Sequence, residues 1–174
     1  MTNLIYFFIA LGILIVFGIL DAISHQRFVK KANIIFHIAG ISILLVSIFI
    51  LAFLEFKLSY FIFVGILAII FGLVIAYKGL AEIKENFWEA KKVLKNKIYS
   101  KVRHPVYSGL IIFMLGFSLV VYSVFFLIYS LVAIIILILL SVYEEKHLVR
   151  KFGKTYINYK KETGMFLPKF KKAK

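Results

Sequence analysis

Four long stretches of the chain contain no charged residue, and polar segments separate them. They cover residues 4–20, 34–54, 58–77 and 106–143. A helix needs about 20 apolar residues to cross the roughly 30 Å hydrocarbon layer of a bilayer, so each of the first three stretches predicts one crossing. The fourth stretch would form a single helix of about 57 Å, so we expect it to reverse near Tyr122 and Ser123. The pattern predicts an all-α integral membrane protein with five transmembrane helices, the last two forming a helical hairpin.

The composition supports a membrane protein. Of the 174 residues, 63% are hydrophobic and 17% are charged, whereas soluble proteins average about 45–50% and 25%. The chain has no cysteine, which excludes disulfides, thiolate metal sites and cysteine nucleophiles. We identify no metal site in the sequence.

The basic residues predict the orientation of the chain in the membrane. Net charge is +14, and the segments outside the five predicted helices hold 0, 3, 1, 8, 0 and 10 Lys and Arg residues in chain order. Because basic residues favour the cytoplasmic side, we expect the N-terminus outside and the C-terminus inside. No nucleic-acid-binding motif accompanies the charge, so the expected partner of these residues is membrane lipid.

Two further patterns concern the middle of the chain. Small residues recur every three or four positions in the third apolar stretch, which predicts close packing against a neighbouring helix; they are Gly65, Ala68, Gly72, Ala76 and Gly79. Apolar residues also recur at helical spacing from Leu80 to Ile98, with lysines between them. This second pattern predicts an amphipathic helix on the cytoplasmic surface, with Trp88 at headgroup depth.

Polar residues that could carry chemistry flank the last apolar stretch. Arg103 and His104 precede Pro105, a residue suited to the first turn of a helix. They would lie at the positive end of that helix, which favours an anion. Glu144 and Glu145 lie at the end of the same stretch, where the negative helix end disfavours acids and favours a bound cation.

Simpler interpretations of both groups remain open. Arg103 could be one more cytoplasmic anchor, and the Glu pair could be a solvated pair bridged to Lys146 or Arg150. A hairpin would favour a common site, since it returns His104 and the two acids to a similar depth on adjacent helices. The basic pair Arg103 and His104, which favours an anion, would then face the acidic pair, which favours a cation. Such a site suits a ligand that carries both charges.

Two segments resemble the isoprenylcysteine carboxyl methyltransferase family, to which phospholipid methyltransferases are related. Residues 99–109 are similar to its Y-x-x-x-R-H-P-x-Y-x-G motif. Residues 144–159, followed by Leu167 and Pro168, are similar to its E-E-x-x-L-x-x-x-F-G-x-x-Y-x-x-Y…L-P ending. The resemblance covers about residues 75–170.

This resemblance implies an S-adenosylmethionine-dependent methyltransferase with a lipid-borne or prenylated acceptor. Residues 1–76 would form three N-terminal transmembrane helices, and residues 77–174 the catalytic region of a single membrane domain. Arg103 and Glu144 are the implied catalytic residues. The implied cofactor contacts are Val93, Leu94, Tyr99, His104, Pro105, Tyr107 and Glu145.

One departure from the family pattern concerns the acceptor. Family members that methylate prenylcysteine carry an Arg where this chain has Leu140. Two other functions remain open. One is a sterol-type NADPH reductase, since such enzymes have a segment similar to the R-H-P motif, although an Arg-Asp pair follows it there instead of a Glu-Glu pair. The other is a non-enzymatic structural or transport protein. A transport path would be lined by intramembrane ionisable residues, and only His37 lies within an apolar stretch.

Overall fold

The computed structural model describes residues 7–16, 60–83 and 91–169. These residues form helices, with no β-strand among them, which confirms the all-α class for the described part of the chain. An isolated parallel bridge pairs Val102 with Gly164. The elements, in chain order, are α1 (Phe7–Val16), α2 (Ile62–Ala81), a 3₁₀ helix (Lys97–Ser100), α3 (Pro105–Val121), α4 (Val124–Phe152) and α5 (Lys154–Glu162).

Two of these helices are long and apolar enough to cross a membrane, namely α2 and α4. Helices α1 and α3 are also apolar but shorter. The predicted crossing at 34–54 lies outside the described residues, and so do both ends of the first one at 4–20. The count of five transmembrane helices therefore stays a prediction.

Helices α2 and α3 pack with their backbones in contact. A Cβ atom added at Gly72 would lie 2.6 Å from the carbonyl oxygen of Gly109 and 2.7 Å from the amide nitrogen of Phe113. At Gly65 it would lie 2.7 Å from the carbonyl oxygen of Gly116. Only glycine fits such contacts, because any side chain would push the helices apart. The small-residue stripe of α2 therefore packs against a neighbouring helix, as its spacing predicted.

The long apolar stretch breaks at the residues where a reversal was expected. Helix α3 ends at Val121, and Tyr122 adopts a left-handed conformation with φ 51° and ψ 43°. Ser123 then caps α4, since its Oγ accepts a hydrogen bond from the amide of Phe126 at 3.3 Å. Across the break, the buried hydroxyl of Ser118 in α3 donates a hydrogen bond of 3.0 Å to the hydroxyl of Ser130 in α4. The two helices thus contact each other close to the break.

The amphipathic helix predicted from Leu80 to Ile98 is wrong for residues 91–96. Helix α2 ends at Ala81, and residues 91–96 are not helical; Trp88 and the rest of residues 84–90 lie outside the described residues. Lysines at 91, 92 and 95 would face each other three or four positions apart on a helix, where like charges repel. In a chain this rich in apolar residues, helical spacing of apolar positions also arises outside helices.

Candidate active site

The segment that leads into α3 is held by the C-terminal tail. Pro105 occupies the first position of α3, and His104 is its N-cap residue. The backbone amide of Arg103 donates to the carbonyl of Gly164 at 2.9 Å, and that of His104 donates to Met165 at 3.1 Å. The tail, some 60 residues further along the chain, thereby fixes the backbone positions of Arg103 and His104.

Glu145 of α4 lies buried among cations. Its Oε1 accepts a hydrogen bond from Arg103 Nε at 2.6 Å, and its Oε2 lies 2.6 Å from Lys160 Nζ of α5. The Arg103 guanidinium also donates through Nη1 to the backbone carbonyls of Lys160 and Thr163. Since only 6% of the Glu145 side chain is exposed, these cations replace the water that would otherwise stabilise its charge.

His104 lies between the two carboxylates. Its Nδ1 is 3.5 Å from Glu144 Oε2 and its Nε2 is 3.4 Å from Glu145 Oε1. Nε2 is buried and has no partner in hydrogen-bonding geometry. The His104 ring stacks on Tyr107, with ring centres 5.8 Å apart, and the Tyr107 hydroxyl donates to Glu144 Oε1.

The two acids raise the pKa of His104. Burial alone would lower its pKa, but the carboxylates of Glu144 and Glu145 close to its ring outweigh this, and the pKa of His104 is raised. The cluster therefore combines two carboxylates, the basic side chains of Arg103 and Lys160, and an imidazole whose pKa is raised. Such a site can bind a ligand that carries both signs of charge.

The remaining predicted site residues lie in the connector before α3. The backbone carbonyl of Tyr99 accepts a hydrogen bond of 2.5 Å from the Tyr159 hydroxyl. Burial is the main reason that the pKa of Tyr159 rises to about 12, so this hydroxyl stays a neutral donor. The Tyr99 hydroxyl itself donates to the carbonyl of Gly79 at 3.4 Å. Val93 and Leu94 are half-buried in the irregular segment before the 3₁₀ helix, and no described contact joins them to the charged cluster.

The structure corrects one interpretation of the acidic pair and adds a residue to the site. Glu145 is buried and pairs with Arg103 and Lys160, so a solvated pair bridged to Lys146 or Arg150 is wrong. Lys160 was not among the predicted site residues, because in the sequence it is one of ten basic residues in the tail. Gly153 was the sequence signal that could have indicated a turn before Lys160. Its φ of 54° allows the chain to change direction between α4 and α5.

Comparisons with known proteins match a region that holds Arg103, His104, Glu144 and Glu145 of this cluster, but not Lys160. Residues 60–155, more than half of the chain, match a family described as phospholipid methyltransferase. A methanethiol S-methyltransferase from Pseudomonas deceptionensis is 37% identical over 76 residues, which is 43% of this chain and 28% of that protein. This chain thus spans less than a third of that relative's length. No solved structure matches. Neither similarity favours a sterol-type reductase or a non-enzymatic protein.

Proposed function

We propose that this chain, which belongs to the phospholipid methyltransferase family, is an integral membrane enzyme that transfers a methyl group from S-adenosylmethionine to an apolar, lipid-borne acceptor. One observation carries the proposal. Within the region that matches the family, His104 lies within 3.5 Å of both Glu144 and Glu145, although about 40 residues separate them in sequence. The two ends of the apolar stretch thus form one charged site beside helices that could cross a membrane.

The chemistry of the site suits the methyl donor. S-adenosylmethionine carries an ammonium, a carboxylate and a sulfonium, and when bound it supplies a methyl group on positively charged sulfur. The carboxylates of Glu144 and Glu145 would hold its cationic groups. The buried Nε2 of His104, which has no hydrogen-bond partner, offers a donor for its carboxylate. We also assign Tyr107 as a contact of the methyl donor, because its ring stacks on that of His104.

The other proposed contacts rest on the family resemblance. Pro105 is buried at the start of α3, directly beside His104. Tyr99 is tied to α2 and α5 by its hydrogen bonds. Val93 and Leu94 precede it in the connector. These positions would form the wall of the donor pocket on the connector side.

Methyl transfer is a displacement in line with the breaking bond, so alignment and exclusion of water supply most of the acceleration. In this chain Arg103 joins Glu145 to the tail. Its guanidinium donates to the Glu145 carboxylate and to two backbone carbonyls of the tail. Tyr107 fixes Glu144 in the same way through its hydroxyl. A carboxylate or thiolate acceptor needs no general base. An amine acceptor must lose a proton, and we assign the Glu144 carboxylate as the base that takes it.

We also propose how the enzyme lies in the membrane. Helices α3 and α4 would form the predicted transmembrane hairpin, within five crossings in all. The two most basic segments, with eight and ten Lys and Arg residues, would then lie on the cytoplasmic face together with the charged cluster. Residues 77–174 would form the catalytic region and residues 1–76 the helices that complete the membrane domain.

Binding of the demethylated donor tests the site directly. We expect the purified protein to bind S-adenosylhomocysteine in calorimetry. His104→Ala and Glu145→Gln should each weaken binding by about tenfold to a hundredfold, because each removes a charge-assisted contact. Glu82→Gln is the matched control, since Glu82 pairs with Lys97 at the end of α2. Equal affinities in all four proteins would contradict the proposed site.

Product identification tests the acceptor. The protein is incubated with radiolabelled S-adenosylmethionine in three separate reactions. Each reaction contains one acceptor: phospholipid vesicles, a prenylcysteine or methanethiol. We expect label in the lipid fraction and little in prenylcysteine, because Leu140 offers no charge to a carboxylate. Label found only in methanethiol, the acceptor in the relative's name, would overturn the lipid-borne acceptor.

A further inference from the structure

The ion pair between Lys160 and Glu145 differs from the other contacts of the cluster in its exposure. The Arg103 and His104 side chains are 8% and 6% exposed, whereas that of Lys160 is 38% exposed. Arg103 and His104 both face Glu145 Oε1, and Lys160 Nζ lies on the other oxygen, Oε2. One oxygen of Glu145 is therefore enclosed by buried groups, while the other is paired with a cation that reaches solvent.

The backbone of Lys160 is fixed independently of its side chain. Its carbonyl oxygen accepts hydrogen bonds from Arg103 Nη1 at 3.2 Å and from Lys169 Nζ at 2.9 Å. The side chain can therefore leave Glu145 without moving helix α5. A lysine this exposed gains little from an ion pair, since water solvates its ammonium almost as well. Glu145 cannot lose its counter-charge at similarly low cost, because it is buried.

We propose that Lys160 is a displaceable counter-ion of the donor site. Its ammonium neutralises Glu145 Oε2 until the ammonium of the methyl donor takes that place, and the lysine side chain then moves into solvent. The inference rests on the proposed function, because it assigns the donor's ammonium to Glu145. One ammonium replaces another, so the charge and the hydrogen bond of the buried carboxylate are kept throughout. The donor consequently binds in competition with a residue of the enzyme itself.

Two variants of Lys160 and two ligands test this competition. S-adenosylhomocysteine carries the amino acid group, and methylthioadenosine lacks it. We expect Lys160→Gln to bind S-adenosylhomocysteine about two- to fivefold more tightly than wild type, the range given by a partly exposed ion pair. Its affinity for methylthioadenosine should not change. Lys160→Arg keeps the charge and should not bind S-adenosylhomocysteine more tightly.

Lys161→Gln is the matched control. Lys161 follows Lys160 in α5 and lines a cavity of about 380 Å³ together with Lys95 and Lys169. We expect this variant to bind both ligands as wild type does. Equal tightening in Lys160→Gln and Lys161→Gln would show a general effect of positive charge and overturn the proposal.

The remaining outcomes separate this inference from the proposed function. Unchanged or weaker binding of S-adenosylhomocysteine by Lys160→Gln overturns the displaceable counter-ion but leaves the donor site standing. Loss of both ligands in that variant also overturns it, because Lys160 would then be needed for the fold. Failure of the wild-type protein to bind S-adenosylhomocysteine overturns the donor site, and the counter-ion role with it.

Discussion

The interface between α2 and α3 and the charged cluster at the start of α3 are held together in different ways. At the interface, glycines bring two backbones into contact, and a Cβ at Gly72 would lie 2.6 Å from the carbonyl oxygen of Gly109. In the cluster, directional contacts join distant segments: Arg103 pairs with Glu145, 42 residues away, and with the carbonyl of Thr163, 60 residues away.

The difference shows which changes each region tolerates. Helices α2 and α3 are in backbone contact, so their association depends on close packing and is sensitive to volume. The cluster depends on a balance of charges and on the backbone of the tail, and is sensitive to charge and to the path of the chain. Substitutions that add volume and substitutions that change charge should therefore affect different properties of the protein.

The largest effect is expected from adding volume at the helix interface. Gly72→Leu should lower the free energy of unfolding by about 3 kcal/mol, at the upper end for overpacked sites, because the new side chain meets backbone atoms. The measurement is thermal unfolding in detergent. Val74→Leu is the control, since Val74 lies on the same helix and is 43% exposed. Equal melting temperatures for the two variants would show that α2 and α3 are not in backbone contact.

A smaller effect is expected where the tail pairs with the start of α3. Gly164 is buried, and a Cβ there would overlap the carbonyl oxygen of Leu167. Gly164→Ala should displace the tail and lose the hydrogen bonds from the Arg103 and His104 amides, at about 1 kcal/mol each. Faster hydrogen exchange of those two amides is the readout.

The control for the tail is Leu167→Ala. The Leu167 side chain is 74% exposed, and its carbonyl survives the substitution. We expect exchange at Arg103 and His104 to stay as slow as in wild type. Slow exchange in Gly164→Ala as well would mean that the tail does not hold this segment.

The smallest effect is a pH dependence of stability that His104 introduces. The carboxylates of Glu144 and Glu145 hold the pKa of His104 above its value in the unfolded chain, which is about 6.5. The folded state thus binds the proton more tightly, and this stabilisation is complete below about pH 6.5 and is lost as pH rises through the folded-state pKa. We expect the melting temperature of wild type to fall over that interval and that of His104→Gln to fall less. Parallel curves would contradict the contact with the two acids.

The sequence predicted the features that depend on local pattern. Uncharged stretches indicated apolar helices, because hydrophobic length is a property of neighbouring residues. The break at Tyr122 and Ser123 followed from the excessive length of one stretch. Arg103, His104, Glu144 and Glu145 were singled out from their motifs, whereas Lys160 was not. The small-residue stripe of α2 was predicted from its spacing. The same kind of reasoning failed at residues 91–96, where an amphipathic pattern lies on a segment that is not helical.

Only the tertiary structure decided which charges pair. Nothing near Glu145 in the chain indicates that its partners are Arg103 and Lys160 rather than Lys146 or Arg150. That choice depends on the turn at Gly153 and on the tail that returns beside Val102. A hydrophobic stretch is defined by the residues next to it, whereas an ion pair is defined by the path of the chain between its members, and that path is fixed only when all the helices pack.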